Sequence, residues 1–284
     1  MAALAEEFKE QVALLGRDSS LVSIIARPAT SQSSDRPAVV ILNTGIIHRV
    51  GHHRMYVTLS RMLAGAGHTV VRFDFSGIGD SAPARDRMPP LAACLEQIKD
   101  VIDSLARTYQ TRYFVLVGLC SGADHAILYA CNDARVAGVV LMDPTLPPTL
   151  RYYFHYVLQR LPHARNWLSF ATGKSGVMRM LATHLSRRLT SGGNRPEDVT
   201  LQSLQFSPHL ARCYRAVAQR NVKMLAAFTS VSARHTYPQQ MLDAFPEAGS
   251  SLRLEYFPES DHHFSPPRAR ARLLRVIAEW MDSV

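Results

Sequence analysis

Several features that would define other kinds of protein are missing from this chain. Its 284 residues hold four cysteines, Cys94, Cys120, Cys131 and Cys213, with neither the close pairs of a zinc site nor the density of a disulfide framework. No apolar run reaches the ~18 residues needed to cross a bilayer. Glu6 and Glu7 stand near the start, where a secretory leader would carry basic residues and then a long apolar stretch, so a cytoplasmic setting is expected. There is no Walker loop, and Gly77-Ile78-Gly79 lacks the third glycine of a dinucleotide fingerprint. These absences argue against a resident metal, a nucleotide cofactor and a membrane span. Acidic residues are also scarce in one place. Between 149 and 220 only Glu197 and Asp198 face eleven arginines and lysines, an excess of nine that equals the +9 net charge of the whole chain. No nucleic-acid-binding module accompanies that basic stretch, so an acidic protein is the partner it suits best.

What is present is an alternation of apolar runs and helical periods. Hydrophobic residues make up 47% of the chain, enough for a substantial core. Phe8–Leu15 and Leu21–Arg27 read as two strands about a turn at Gly16-Arg17-Asp18. Residues 38–42 are continuously apolar, as in a strand buried on both faces, and 69–73, 113–117, 136–142, 222–228 and 252–257 read as further strands. Helical periods lie between them at 52–66, 91–109 and 123–130, and a last helix spans 267–281. This order predicts an α/β protein with a mostly parallel sheet, helices on both faces and a site at the C-terminal ends of the strands. Residues 149–220 break the pattern and read as a basic helical cap. The core is then 1–148 with 221–284.

The chemistry centres on Gly118-Leu119-Cys120-Ser121-Gly122, where a strand ends abruptly and a helical pattern begins. A strand, a sharp turn and a helix, with glycines two before and two after the turn residue, form a nucleophile elbow that lifts one side chain above the sheet edge. That side chain is Cys120. Ser121 is a poor rival, because Leu119 and Ala123 would occupy its glycine positions. The plainer reading, a buried cysteine at a strand–helix junction, leaves both glycines unexplained.

A cysteine nucleophile needs a base and a group to orient it. His262, in Asp261-His262-His263-Phe264 after the final strand, is the expected base, with His263 as the alternative. The usual acid position follows the strand at 222–228, but Thr229 to His235 contains no carboxylate. Asp143, after the preceding strand, is the candidate substitute. Its other reading is a turn cap before Pro144, and a dyad without an acid is a third arrangement. Two backbone donors for an oxyanion are expected at Ser121 and, beyond Thr44-Gly45, at Ile46. His48, Arg49 and Arg54 offer donors to an anionic group on a substrate, or simply form a solvated helix start. Tyr152, Tyr153 and Tyr156 are candidates to line an acyl pocket, or pack the cap. No group of residues has convincing metal-ligand spacing.

Taken together, Asn43-Thr44-Gly45, Asp74-x-x-Gly77-x-Gly79-x-Ser81, the cysteine elbow and Asp261-His262-x-Phe264 resemble the α/β-hydrolase superfamily over nearly the whole chain. The elbow and the segment from Gly45 to Arg54 look like hydrolase-like proteins encoded with exosortase systems. The cysteine is also similar to that of dienelactone hydrolases, polyhydroxyalkanoate synthases and carrier-protein acyltransferases. The resemblance implies acyl transfer through a Cys120 thioester, with no cofactor of its own and a substrate carried on phosphopantetheine or coenzyme A. An acidic carrier protein would dock on the basic cap. Hydrolysis of a small ester, lactone or thioester needs the same residues. A non-catalytic binding protein on the same scaffold is the reading that the vacant acid position favours.

Overall fold

A computed structural model describes residues 8–29, 36–84, 88–147, 151, 207–230 and 237–284. The chain opens with an antiparallel hairpin, β1 (Phe8–Leu15) and β2 (Leu21–Pro28), in which Leu15 pairs with Leu21. The other strands are β3 (Ala38–Ile41), β4 (Val70–Phe73), β5 (Phe114–Leu119), β6 (Val136–Met142), β7 (Lys223–Thr229) and β8 (Leu252–Phe257). They lie in one eight-stranded sheet in the order β1-β2-β4-β3-β5-β6-β7-β8. β2 meets β4 antiparallel, and every pairing beyond it is parallel. The helices are α1 (Met55–Gly65), α2 (Pro90–Tyr109), α3 (Ser121–Ala130), α4 (Pro208–Gln219), α5 (Gln240–Ala244) and α6 (Pro267–Met281). The α/β class and the mostly parallel sheet are those the sequence pattern predicts.

Alternation along each strand explains the continuous apolar runs. Val40, Leu42 and Leu116 point into a core shared with α2, α3 and α4, through Ile98, Val101, Ile127 and Tyr214. Val39, Ile41, Val115 and Val117 point to the opposite face, into a core with α1 and α6 through Leu59, Leu63, Leu273 and Trp280. With both faces covered, no strand position on these runs has water to meet. Each fully buried aliphatic side chain contributes roughly 1.5–3 kcal/mol, so a polar residue there would be penalised from either side.

Two details differ from the periodicity. α1 starts at Met55 rather than His52, because His53 and Arg54 take left-handed conformations (φ 50° and 58°) and leave only a 3-10 turn ahead of it. The short α5, followed by a 3-10 turn at Pro246–Ser251, fills the crossing from β7 to β8, where no helical period was legible. Most of the stretch read as a cap, with Tyr152, Tyr153 and Tyr156, lies outside the described residues. Its end is described as α4, whose Leu210, Cys213, Tyr214 and Val217 join the same core as α3. Ser207 starts α4 by accepting a hydrogen bond from Leu210 N–H at 3.1 Å. Among the described residues, no helix is long and apolar enough to cross a membrane, and no group of side chains could hold a metal ion.

Candidate active site

Parallel strands bring Asn43, Asp74, Cys120, Asp143 and Thr229 to one edge of the sheet, each at or just past a C-terminal strand end. Cys120 sits between β5 and α3 with φ 55° and ψ −118°, a conformation that costs of order 1–3 kcal/mol for a non-glycine residue. Its surroundings impose it. Cys120 N–H donates to Met142 O at 2.9 Å, and its carbonyl accepts from Ala123 and Asp124 at 3.0 and 3.2 Å. Both flanking glycines are sterically required: a Cβ on Gly118 would fall 2.2 Å from the backbone of Gly122, and one on Gly122 would fall 2.6 Å from Asn43 O. The strand, turn and helix expected around Cys120 are therefore present, and the thiol is free and half-buried.

His262 and Asp143 meet across 119 residues of chain. Imidazole Nδ1 lies 2.9 Å from Asp143 Oδ2, and the carboxylate is fully buried. Thr229 supplies its other donors, N–H to Oδ1 at 2.8 Å and hydroxyl to Oδ2 at 2.6 Å. Asp143 itself has φ 43°, in a turn held by its N–H to Ala227 O at 2.8 Å. With Nδ1 engaged by the carboxylate, Nε2 is the nitrogen left for the thiol. The hydrogen bond to Asp143, and then the one to Cys120, push His262 up from its ordinary 6.5 to about 10, against the opposing effect of burial. His263 does not reach the carboxylate. It is exposed, and its ring lies 4.1 Å from that of His52. Thr229 was missed by the sequence reading. It occupies the place where an acid was sought, and the only available sign was its position as the first polar residue after an apolar strand.

The two halves of the expected oxyanion site adjoin. Gly45 N–H donates to Ser121 Oγ at 2.8 Å, and Ile47 N–H closes the turn onto Thr44 O at 2.9 Å. Ile46 N–H has no such partner among the described residues, and the residue is exposed. Ser121 opens α3, so its N–H is one of the first-turn amides without an intrahelical acceptor. Tyr56, also missed, is fully buried on α1 with its hydroxyl 2.8 Å from Thr44 Oγ1. Burial pushes this phenol up to about 12, so it stays neutral and braces the turn from below.

Of the three residues expected to meet a substrate anion, His48 and Arg54 are exposed and Arg49 is not free. Its guanidinium pairs with buried Asp74 through Nη1, and with Asp80 through Nη2 at 2.6 Å. The sequence placed Arg49 among exposed donors because nothing local showed that Asp74, 25 positions on, would face it. His52 and His53 enter the same region instead. His53 Nε2 lies 3.0 Å from Ser265 Oγ. His52 is lowered, first by burial and then by the crowding of His263, His53 and His262.

A Gly-x-Cys-x-Gly elbow on this sheet order, facing a histidine and an aspartate from later strand ends, defines an enzyme of the α/β-hydrolase superfamily. The family model described as "Serine aminopeptidase, S33" matches residues 35–231, and the chain belongs to that hydrolase family. No curated protein sequence matches it. Among solved structures it is similar to a hypothetical protein from Pseudomonas aeruginosa, at 18% identity over 100% of this chain and 95% of the other, with TM-score 0.61. A putative dienelactone hydrolase from Klebsiella pneumoniae is 16% identical over 98% and 100%, with TM-score 0.59. A monoacylglycerol lipase from Paleococcus ferrophilus is 20% identical over 87% and 96%, with TM-score 0.54. At these identities the likeness is one of fold.

Proposed function

We propose that the protein transfers an acyl group through a thioester formed on Cys120, taking the acyl group from a thioester or ester. The observation that carries this reading is the connected line from the elbow to His262 and on to Asp143, fixed by Thr229. The Cys120 proton rests on Nε2 of His262, which is held as an imidazolium, and the sulfur attacks the acyl carbonyl. Ser121 N–H and Ile46 N–H receive the developing oxyanion. The bond to the leaving thiol or alcohol then breaks as His262 returns the proton to it. The acceptor repeats the sequence in reverse, giving up its proton to His262 and freeing Cys120. Asp143 accepts from Nδ1–H throughout, which leaves Nε2 to exchange the proton with the sulfur, the leaving group and the acceptor.

Sulfur at the elbow favours transfer over hydrolysis, since a thioester passes its acyl group readily to amines and thiols. A donor carried on phosphopantetheine or coenzyme A fits this chemistry, with an acidic carrier protein drawn to the arginines of 149–220 by charge. Hydrolysis is the second reading, favoured by the hydrolase family to which the chain belongs and by its likeness to a monoacylglycerol lipase. The non-catalytic reading rested on the vacant position after β7, and the Asp143–His262 contact removes that support.

The test is incubation with an acyl-loaded carrier protein, with and without an amine or thiol acceptor. Acylated acceptor is the expected main product. Free acid dominating with acceptor present would sink the transferase reading and leave the hydrolase.

A further inference from the structure

Histidines from two loops meet beside the proposed base, and only His262 has a part in the acyl chemistry. His52 and His53 stand just before α1, and His262 and His263 follow β8. The His52 and His263 rings lie 4.1 Å apart between centres, and His263 lies 5.2 Å from His262. Both loops are fixed. Gly51 has φ 71°, and a Cβ there would fall 2.7 Å from the Tyr56 ring. His53 and Arg54 follow it in left-handed conformations that the surroundings must hold. In the other loop, Asp261 Oδ1 accepts from His263 N–H at 3.1 Å and Ser265 N–H at 2.9 Å. Arg270 donates to Phe264 O and Ser265 O at 3.0 and 2.8 Å, and buried Phe264 packs edge-on against Phe257. His53 Nε2, 3.0 Å from Ser265 Oγ, joins one loop to the other.

We propose that His52 and His263 form a carboxylate-binding subsite beside His262. That the carboxylate belongs to the acyl group or to the acceptor rests on the acyl-transfer reading; the subsite itself does not. Neither ring has a hydrogen-bond partner on its nitrogens among the described residues. Imidazole donates in either protonation state, so two rings held together offer one donor to each oxygen of a carboxylate. Arg49 cannot take this part, because Asp74 and Asp80 already balance its charge. Nor can His262 Nδ1, which faces Asp143. The subsite lies one ring's breadth from the base, whereas the phosphates of a coenzyme sit at the far end of the pantetheine arm. A carboxylate a few bonds from the reacting carbon is the anion that fits.

Charge supports the same assignment. His52 is held below its ordinary 6.5 by burial, then by His263, His53 and His262, with Asp261 opposing them. One oxygen of Asp261 is already engaged by the two amides of its own loop. A carboxylate from outside supplies the missing counter-charge. The pair therefore takes up protons as the anion binds, and binding tightens as pH falls.

The first arm of the test measures binding to the wild-type protein. Histidine-ring NMR follows His52 and His263 as succinate is added, with succinamide as the neutral control. Both rings are expected to shift with succinate alone, and their titration midpoints to rise. Unmoved rings, or equal shifts with succinamide, would overturn the proposal. The second arm finds which substrate carries the carboxylate. It compares kcat/KM for succinyl- and butyryl-coenzyme A with a neutral amine acceptor, and for glycine and glycinamide with butyryl-coenzyme A. In the pair that carries the carboxylate, the charged-to-neutral ratio should fall roughly tenfold in His263→Gln and in His52→Gln. A merely structural change would lower both members alike. With turnover present, no charged preference in wild type, or one that both variants keep, would overturn the proposal. Turnover of neither thioester, with the succinate shifts intact, would sink the acyl-transfer reading and leave the subsite standing.

Discussion

Asp74 and Asp143 are two buried aspartates on the same sheet edge, with two strands between them, and they differ in the partner that balances them. Each follows a parallel strand, and neither carboxylate is exposed to water. Asp74 accepts from Arg49 N–H at 2.5 Å and from Asn43 Nδ2 at 3.3 Å, and its charge is balanced by the Arg49 guanidinium. Gly79 leaves the room: a Cβ there would fall 2.2 Å from Asp74 Oδ2. Ser81 then ties the loop to β2, donating to Asp74 O at 2.7 Å and accepting from Val22 N–H at 2.8 Å. Asp143 is held just as firmly by Thr229, but its cation is an imidazole whose other nitrogen faces a thiol. A buried carboxylate must be paired in either case. A permanently charged partner makes a brace for the Gly45–Arg49 turn. A titratable partner suits Asp143 to the proposed proton relay.

Breaking the relay at its titratable member should have the largest effect. His262→Ala is expected to lower kcat/KM by roughly 10²- to 10⁴-fold while the circular dichroism spectrum stays that of a folded protein. Breaking the brace should act on stability instead. Asp74→Asn leaves Arg49 without its buried counter-charge and should cost about 3 kcal/mol in urea unfolding, with kcat/KM of the folded fraction unchanged. A large activity loss at full stability would mean that Asp74 belongs to the chemistry, and the contrast would fail.

Asp143→Asn should fall between these, at roughly 10- to 100-fold in kcat/KM, because a thiol needs less activation than a hydroxyl. It should also change the pH dependence. The folded state holds the His262 proton more tightly than the unfolded chain does, so this contribution to stability is full below about 6.5 and lost as pH rises through about 10. Unfolding experiments across that window should show the loss in wild type and much less of it in Asp143→Asn. The alkaline limb of kcat/KM should move down in the same variant. An unaltered profile with a wild-type rate would remove Asp143 from the mechanism. Thr229→Val should have the smallest effect, about 1 kcal/mol from the lost hydroxyl donor and a few-fold in activity.

The sequence revealed most where the cause is local. The elbow needs a strand, two glycines at fixed offsets and a helix, and all of these lie within a few residues of Cys120. The sheet was legible for a similar reason, since burial on both faces forces continuous apolar runs. Asp143 and His262 were reachable only through topology, by asking which strand ends could share an edge. Thr229 and Tyr56 were not legible, because each matters through a single hydroxyl whose partner is distant in sequence. Arg49 was misplaced among exposed donors because its environment is created by Asp74 and Asp80.

The claim that joins these parts is that the Cys120 sulfur carries the acyl group. Intact-mass spectrometry of the protein after brief exposure to an activated acyl thioester tests it most directly. The predicted result is one adduct of the acyl mass, mapped to Cys120, released by neutral hydroxylamine and absent from Cys120→Ala. An adduct that persists in the folded Cys120→Ala protein, or none on folded wild type, would contradict it.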